Sequence, residues 1–363
     1  MKIGLYTIHA SHNVGAMLQA YALTTLLQKR GAEVELVNMY PKAEELQNHH
    51  RTKGAFMHNL MREAYLLTHP AIRKMEKNFD AFHEQMPLSK RFLSKKEYME
   101  TPNHYDLHLV GSDQVWNLQK GFDFSEFYYL DYLPEGSRKA AYGSSFGTIT
   151  GITGIGMASR ALKSFDKLSV REDTAVDFVK SLTGKSCAHV VDPTLLLTKD
   201  EWNEILEEEP FVKGKYIFFY GVNSDAKTWE MIKLAKEKLG IPVVGYPGPI
   251  IPKYKFDKYV LNGGPKQFVN LIKNAGLVIT SSFHGLAFSV NYGKKFMLVR
   301  YGERMGRMSS LMRLVGAQDY FVENIEDEER LFTKGWDIEA IQRNLSIARN
   351  KSINWIDENI LSI

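Results

Sequence analysis

The order of the apolar runs constrains this chain most. Short strand-like runs alternate with stretches of helical period from the first residues onward. KIGLYTI reads as a strand, AMLQAYALTTLLQKRG carries apolar residues at helical spacing and stops at Gly31, and EVELVNMY is a second strand. Such a β-turn-α-β opening predicts a parallel α/β sheet. The pattern returns at DLHLVG (106–111), KAAYGSS (139–145) and KLSV (167–170), followed by the helix-like REDTAVDFVKSL and by HVVDPTLLL (189–197). It then starts afresh with YIFFYGV, WEMIKLAKEKLG, PVVGY, PKQFVNLIKNA and VITSSFHGLAFSVNYG. A second series predicts a second sheet, and 363 residues exceed the usual size of one core. The expected division is 1–190, with a helical insertion at 46–103, then 191–337. A long amphipathic helix, 338–363, closes the chain.

The insertion breaks the alternation. Phe56, Met57, Leu60, Met61, Ala64 and Leu67 form an amphipathic stripe, and IRKMEKNFDAFHEQM supplies a second helical stretch. Between Arg51 and Glu97 ten basic residues stand against five acidic ones, which predicts a solvated basic face. The sharper reading is a surface for an anionic acceptor or for the membrane face. Over the whole chain 46 basic residues face 42 acidic ones, too balanced for nucleic acid and compatible with small anionic ligands. The single cysteine, Cys187, excludes an intramolecular disulfide and a Cys-based zinc site. The start lacks a signal-peptide pattern and no apolar run approaches 18 residues, so a cytoplasmic protein is expected.

Ligands of open α/β sheets bind outside the carboxyl ends of the strands, and polar residues collect there. Strand one is followed by Asn13-Val14-Gly15-Ala16 leading into a helix N-terminus. DLHLVG is followed by Ser112, Asp113, Gln114, Trp116 and Asn117, KAAYG by Ser144-Ser145, and KLSV by Arg171-Glu172. In the second half YIFFYGV precedes Asn223-Ser224, and VIT precedes Ser281, Ser282, Phe283, His284 and Gly285. Each has a bland reading: Asn13 or Asp113 as a helix cap, Trp116 as core, Arg171 paired with Glu172 or Asp173, His284 as a structural histidine. Their concentration at successive strand ends favours a site. A phosphate loop, His-Glu-x-x-His, Gly-x-Gly-x-x-Gly and a Gly-x-Ser-x-Gly elbow are all missing, and the acidic run Glu326–Glu329 reads as a solvated face. Arginine, histidine, serine and helix N-termini without a metal cluster suit an anionic substrate.

Taken in order, YTIHASHNVGAMLQAYALTTLLQKRG, YDLHLVGSDQVWN, FYYLDYLPEGSRKAAYGSSFG, LSVREDTAVDFV, VVDPTLLL and SSFHGLAFSVNYGKKF resemble the polysaccharide pyruvyl transferase family. The resemblance covers roughly residues 1–45 and 105–320. It implies two Rossmann-like domains facing a cleft, a GT-B-like arrangement, with the C-terminal helix returning to the first domain. It also implies transfer of a pyruvyl group from phosphoenolpyruvate to two hydroxyls of a sugar, giving a cyclic ketal. His284 in SFHG and Arg171 in SVRE match positions implicated in catalysis and donor binding. Near GERMGRMSSLMRLVG similar proteins tend to carry Asn before the Arg-Met pair, where this chain has Gly306 before Arg307.

The chemistry suits these residues. Arginine's planar fork matches a carboxylate or phosphate bidentately, and the helix N-terminus after Gly285 offers N–H groups to phosphate. Histidine donates and accepts protons near neutrality. A helix N-terminus should lower its pKa and a bound phosphate dianion should raise it, so His284 is expected to act as general acid with donor bound. The expected donor set is Arg171, Ser281, Ser282, His284, Gly285 and Arg307; the expected acceptor set is Asn13, Gly15, Asp113, Gln114, Trp116 and Ser145. No metal or other cofactor is expected to be required. The expected partners are phosphoenolpyruvate and a sugar acceptor, with peripheral contact at the inner membrane face if that acceptor is lipid-linked. A nucleotide-sugar glycosyltransferase and a non-catalytic carbohydrate- or anion-binding protein are the alternatives.

Overall fold

The computed structural model describes residues 1–49, 51–118, 125–147, 149, 154–221, 226–246, 256–299 and 305–362. Asn223-Ser224, the centre of the glycine-rich run 147–156, the centre of loop 245–265 and residues 302–304 lie outside them. The chain divides into two compact units, Met1–Leu196 with Arg349–Ile363, and Leu197–Ala348.

The first unit opens with β1 (Lys2–Tyr6), α1 (Val14–Lys29) and β2 (Glu33–Leu36). The insertion supplies α2 (Lys42–Asn48), α3 (Phe56–Thr68), α4 (Pro70–His83) and α5 (Lys95–Glu100). Then follow β3 (Leu107–Val110), α6 (Ser125–Tyr128), β4 (Lys139–Ser144), α7 (Ile155–Leu162), β5 (Lys167–Val170), α8 (Asp173–Thr183) and β6 (Ala188–His189). The sheet is parallel in the order β2-β1-β3-β4-β5-β6, with Ile3 opposite both Val34 and Leu107. Strands covered on both faces bury every residue, which is why LHLV and KAAYGS read as continuous runs and not as alternations. Residues 349–363 belong to this unit: Val191 N–H donates to Ser352 Oγ (3.0 Å), Arg349 Nε to the Leu195 carbonyl (2.6 Å) and Arg30 Nη1 to Asp357 (2.6 Å).

The second unit begins with α9 (Lys199–Asn203), β7 (Ile217–Tyr220), α10 (Ala226–Leu239), β8 (Val243–Gly245) and β9 (Lys258–Tyr259). It continues with α11 (Pro265–Asn274), β10 (Leu277–Thr280), α12 (Phe283–Asn291) and β11 (Phe296–Val299). It closes with α13 (Gly306–Val315), β12 (Phe321–Val322), α14 (Ile325–Lys334) and the first part of α15 (Ile338–Ile356). Its sheet is parallel in the order β12-β11-β10-β7-β8-β9, the order of dinucleotide-binding folds, with β7 and β10 flanking the point where the winding reverses. Both units are therefore the parallel α/β class that the alternation predicts.

The stripe on α3 faces outward: Phe56 is 77% exposed and Leu67 73%. The helix is seated instead by Leu66 and Arg62, both buried, and Arg62 is accommodated because Glu76 on α4 pairs with it. Among the described residues no helix is long and apolar enough to cross a membrane.

Candidate functional site

In the second unit β10 delivers Ser281 and Ser282 to the N-terminus of α12. Parallel pairing with β7 (Thr280 opposite Tyr220) brings Gly221 so close that a Cβ there would meet Ser281 Oγ at 2.8 Å. Thr280 Oγ1 donates to the Tyr220 carbonyl (2.5 Å) and accepts from Ser282 N–H (3.0 Å), fixing the turn. Gly285 is required one turn into α12, because a Cβ would overlap that same Thr280 hydroxyl. Ser282 occupies the N-cap in extended conformation, yet its side chain makes no hydrogen bond to the first turn. A first turn that its N-cap side chain leaves uncapped, at the positive end of the helix dipole, is an anion-binding arrangement. His284 stands on that turn, 7% exposed, its ring edge-to-face with Phe283 at 5.2 Å. Arg307, on the first turn of α13, lies over the Phe283 ring at 5.9 Å. The Tyr220 phenol, pushed up to about 12 by burial and eased by a hydrogen bond with Ser282, stays neutral here. The fold thus gathers Ser281, Ser282, Phe283, His284, Gly285 and Arg307, and adds Thr280 and Tyr220, which sequence reasoning passed over as strand residues.

The strand ends of the first unit are spent differently. Arg171 has a fully buried side chain bonded to Asp192 (2.5 Å), Asp113 (3.3 Å) and Glu172 (3.4 Å), with Ser112 Oγ at 3.3 Å. Burial works against its charge, but Asp192, Asp113 and Glu172 outweigh that and hold the guanidinium above its ordinary value. Ser145 Oγ donates to Glu172 (2.6 Å), and Asp192 also accepts from Thr194 N–H and Oγ1. Where a donor clamp is expected, the Arg171 guanidinium ties the loop after β5 to the loops after β3 and β6. Asp113 sits in that network at φ 71°, a backbone region strained for a non-glycine residue, and Gln114 beside it is half-buried.

Two expected acceptor residues have structural contacts of their own. Trp116 is fully buried, stacked on Tyr129 and packed on Phe146 and Phe165, with its indole N–H donated to the Tyr128 carbonyl. No face of the ring is left for a sugar. Asn13 caps α1, its Oδ1 accepting from Gly15 N–H (2.9 Å) and Ala16 N–H (3.2 Å), so the Gly15 amide is used internally.

A further cluster, unmarked in the sequence, lies after β1. His12 Nε2 is 3.1 Å from Asp80 Oδ1, His49 Nε2 is 3.9 Å from the same oxygen, and His49 Nδ1 is 3.5 Å from Glu76 Oε2. Burial opposes charge on Glu76 and Asp80, but their histidine partners, and Arg62 beside Glu76, hold both carboxyls below their ordinary values. The neighbouring His9 and His83 rings stack at 5.1 Å with Nδ1 and Nε2 2.9 Å apart. Burial, with His83 opposite, pushes His9 down to about 3; burial brings His83 to about 4.

Two parallel α/β units of Rossmann-like type, each with a switch point, make up the fold. The sequence model of the family described as polysaccharide pyruvyl transferase matches residues 13–303, and the chain belongs to that family. Among curated proteins none matches. The fold is similar to that of a Listeria monocytogenes protein described as a UDP-N-acetylglucosamine 2-epimerase, at 10% identity and TM-score 0.59, covering 100% of this chain and 96% of that one. S. aureus MnaA, solved with UDP, matches at 10% identity and TM-score 0.54, over 100% of this chain and 97% of that one. The Neisseria meningitidis UDP-GlcNAc 2-epimerase bound to UDP-GlcNAc matches at 12% identity and TM-score 0.50, over 100% of both chains.

Proposed function

We propose that the protein transfers the pyruvyl group of phosphoenolpyruvate to two hydroxyls of a sugar, forming a cyclic ketal during polysaccharide biosynthesis. The observation that carries this reading is His284 on the first turn of α12, to which the N-cap side chain of Ser282 makes no hydrogen bond, with Arg307 over the Phe283 ring, in a chain of this family. The helix N-terminus and Arg307 hold the donor's phosphate and carboxylate. His284 gives its proton to the methylene carbon, leaving positive charge at C2. One sugar hydroxyl adds there and returns its proton to His284, phosphate departs with the bridging oxygen, and the second hydroxyl closes the ring as it gives its proton to the departing phosphate. The product gains the mass of pyruvate less one water. No metal or other cofactor is needed for these steps.

The acceptor fits a lipid-linked sugar. The outward apolar side chains of α3, among them Phe56, Met57, Met61 and Leu67, sit in a segment rich in Lys and Arg, a combination that binds an acidic lipid surface. Sedimentation with acidic vesicles, decreasing as salt rises, is the expected result; no binding at low salt would remove this element. A nucleotide-sugar glycosyltransferase is the second reading, favoured by the dinucleotide-binding strand order of the second unit. Phosphoenolpyruvate or a UDP-sugar is offered with a panel of galactose, mannose and N-acetylhexosamine acceptors. Phosphate release and the ketal mass with phosphoenolpyruvate alone support pyruvyl transfer; turnover only with the UDP-sugar overturns it.

A further inference from the structure

We propose that His12, His49 and Asp80 form a binding site for one divalent first-row transition-metal ion of the zinc type, fastening the helical insertion to the β1–α1 turn. The three residues come from separate elements: the turn before α1, the C-cap of α2, and α4. One ligand atom from each lies within 4.8 Å of the others. Bonds of about 2.0–2.2 Å to zinc place tetrahedral ligands roughly 3.3–3.5 Å apart. The 3.1 Å and 3.9 Å separations from Asp80 Oδ1 bracket that range, and the edge between the two imidazoles lies within 4.8 Å.

The donor chemistry selects the ion. Two imidazoles and one carboxylate suit zinc and its first-row neighbours, whereas calcium and magnesium prefer oxygen alone. The surrounding groups are those of a metal site. His49 turns its other ring nitrogen to Glu76, and Glu76 is held in turn by Arg62, the outer carboxylate that orients a ligating imidazole. His12 and His49 are 10% and 20% exposed while Asp80 is 45% exposed, which fixes the rings and leaves an entry path on the carboxylate side. Three protein ligands leave a fourth position for water.

The test uses the untagged full chain, stripped with chelator, dialysed and titrated with zinc chloride by calorimetry, alongside metal content after desalting and thermal unfolding. The expected result is one ion per chain and a raised Tm, because the ion binds only the folded arrangement. Asp80→Asn and His49→Gln should each weaken binding by at least ~10–100-fold, the loss that even an outer partner's removal causes. Cobalt(II) should give visible ligand-field absorption that both substitutions remove. Far-UV circular dichroism checks that each variant is folded, and the exposed Asp80 makes Asp80→Asn the safer of the two. The control His58→Ala, on the outer side of α3, should keep native affinity. Failure of the native chain to take up zinc stoichiometrically overturns the site, leaving His12–Asp80 and His49–Glu76 as ion pairs. Uptake at native affinity in both variants overturns it as well.

Discussion

Two helices in this molecule follow a strand at a switch point, and their N-termini are treated in opposite ways. At α1 the Asn13 side chain accepts two first-turn amides. At α12 the Ser282 side chain accepts none. The adjoining strand ends follow suit. In the first unit Arg171 is enclosed by three carboxylates; in the second, Ser281 and Ser282 lead into His284 on the first turn of α12, and Arg307 lies over the ring of Phe283 beside it. One topology thus serves two purposes. Charge satisfied internally stiffens loops, and a first turn that its N-cap side chain does not bond suits the proposed donor anion.

The largest effect that would break this contrast concerns His284. A positioned general acid is worth ~10²–10⁴-fold in rate, so His284→Gln should lower kcat by that order with the Tm unchanged. Phosphate release at close to the native rate in His284→Gln would place the acid elsewhere. Next comes Arg171. Removing one partner of a buried pair costs ~3–5 kcal/mol, so Arg171→Met should unfold at markedly lower denaturant. Arg171→Lys, which keeps the charge but loses the fork, should lower stability while the folded fraction keeps its donor KM. A Lys variant of native stability that has lost donor affinity would make the first unit the ligand-binding one.

A smaller effect is expected from Gly285→Ala, whose new methyl must displace the Thr280 hydroxyl from Tyr220 and Ser282. Overpacking of this kind costs ~1–3 kcal/mol, read as a lower Tm. The smallest effect separates the units by pH. His108, in the first unit, is brought down to about 4 by burial and by Lys139. Its unfolded form takes up a proton below about 6.5 while the folded form does not, so acidification from there to about 4 weakens that unit. Glu328, in the second unit, is pushed up to about 8 by burial, with Glu329 adding to the shift and Lys238 opposing it; neither side-chain oxygen has a hydrogen-bond partner among the described residues. Its unfolded form ionises near 4.5 and its folded form near 8, so raising pH between those values weakens that unit. Glu328→Gln should flatten this slope and raise stability at pH 7 by on the order of 1 kcal/mol. Amide exchange resolved by unit, at pH 5 and pH 7.5, checks both signs.

The sequence displays whatever repeats along the chain. Strands such as KLSV and LVIT, and the His284 turn between a buried strand and a helix, depend on neighbours a few residues away, and they stand where the pattern puts them. The full set of Arg171 partners is not legible in the sequence because they lie at 113 and 192 as well as next door, and only strand order brings those carboxylates together. Trp116 follows a strand in a polar loop, a context that hides the aromatic cluster enclosing it. His12, His49 and Asp80 were invisible as a group, since positions 12, 49 and 80 share no spacing. The α3 stripe shows the converse: a clear helical period says that a helix is amphipathic, not which face it buries.

The membership of residues 349–363 in the first unit has a consequence for synthesis on the ribosome. The second unit is one continuous stretch, Leu197–Ala348, and all its segments have been made before Arg349 is joined. The first unit must wait, because Ser352 and Asp357 hold Val191 and Arg30. Domains fold as units, N-terminal first during synthesis when each is contiguous. Here the order is inverted: the segment translated second is the first able to finish, and the segment translated first stays open until the chain comes back to it.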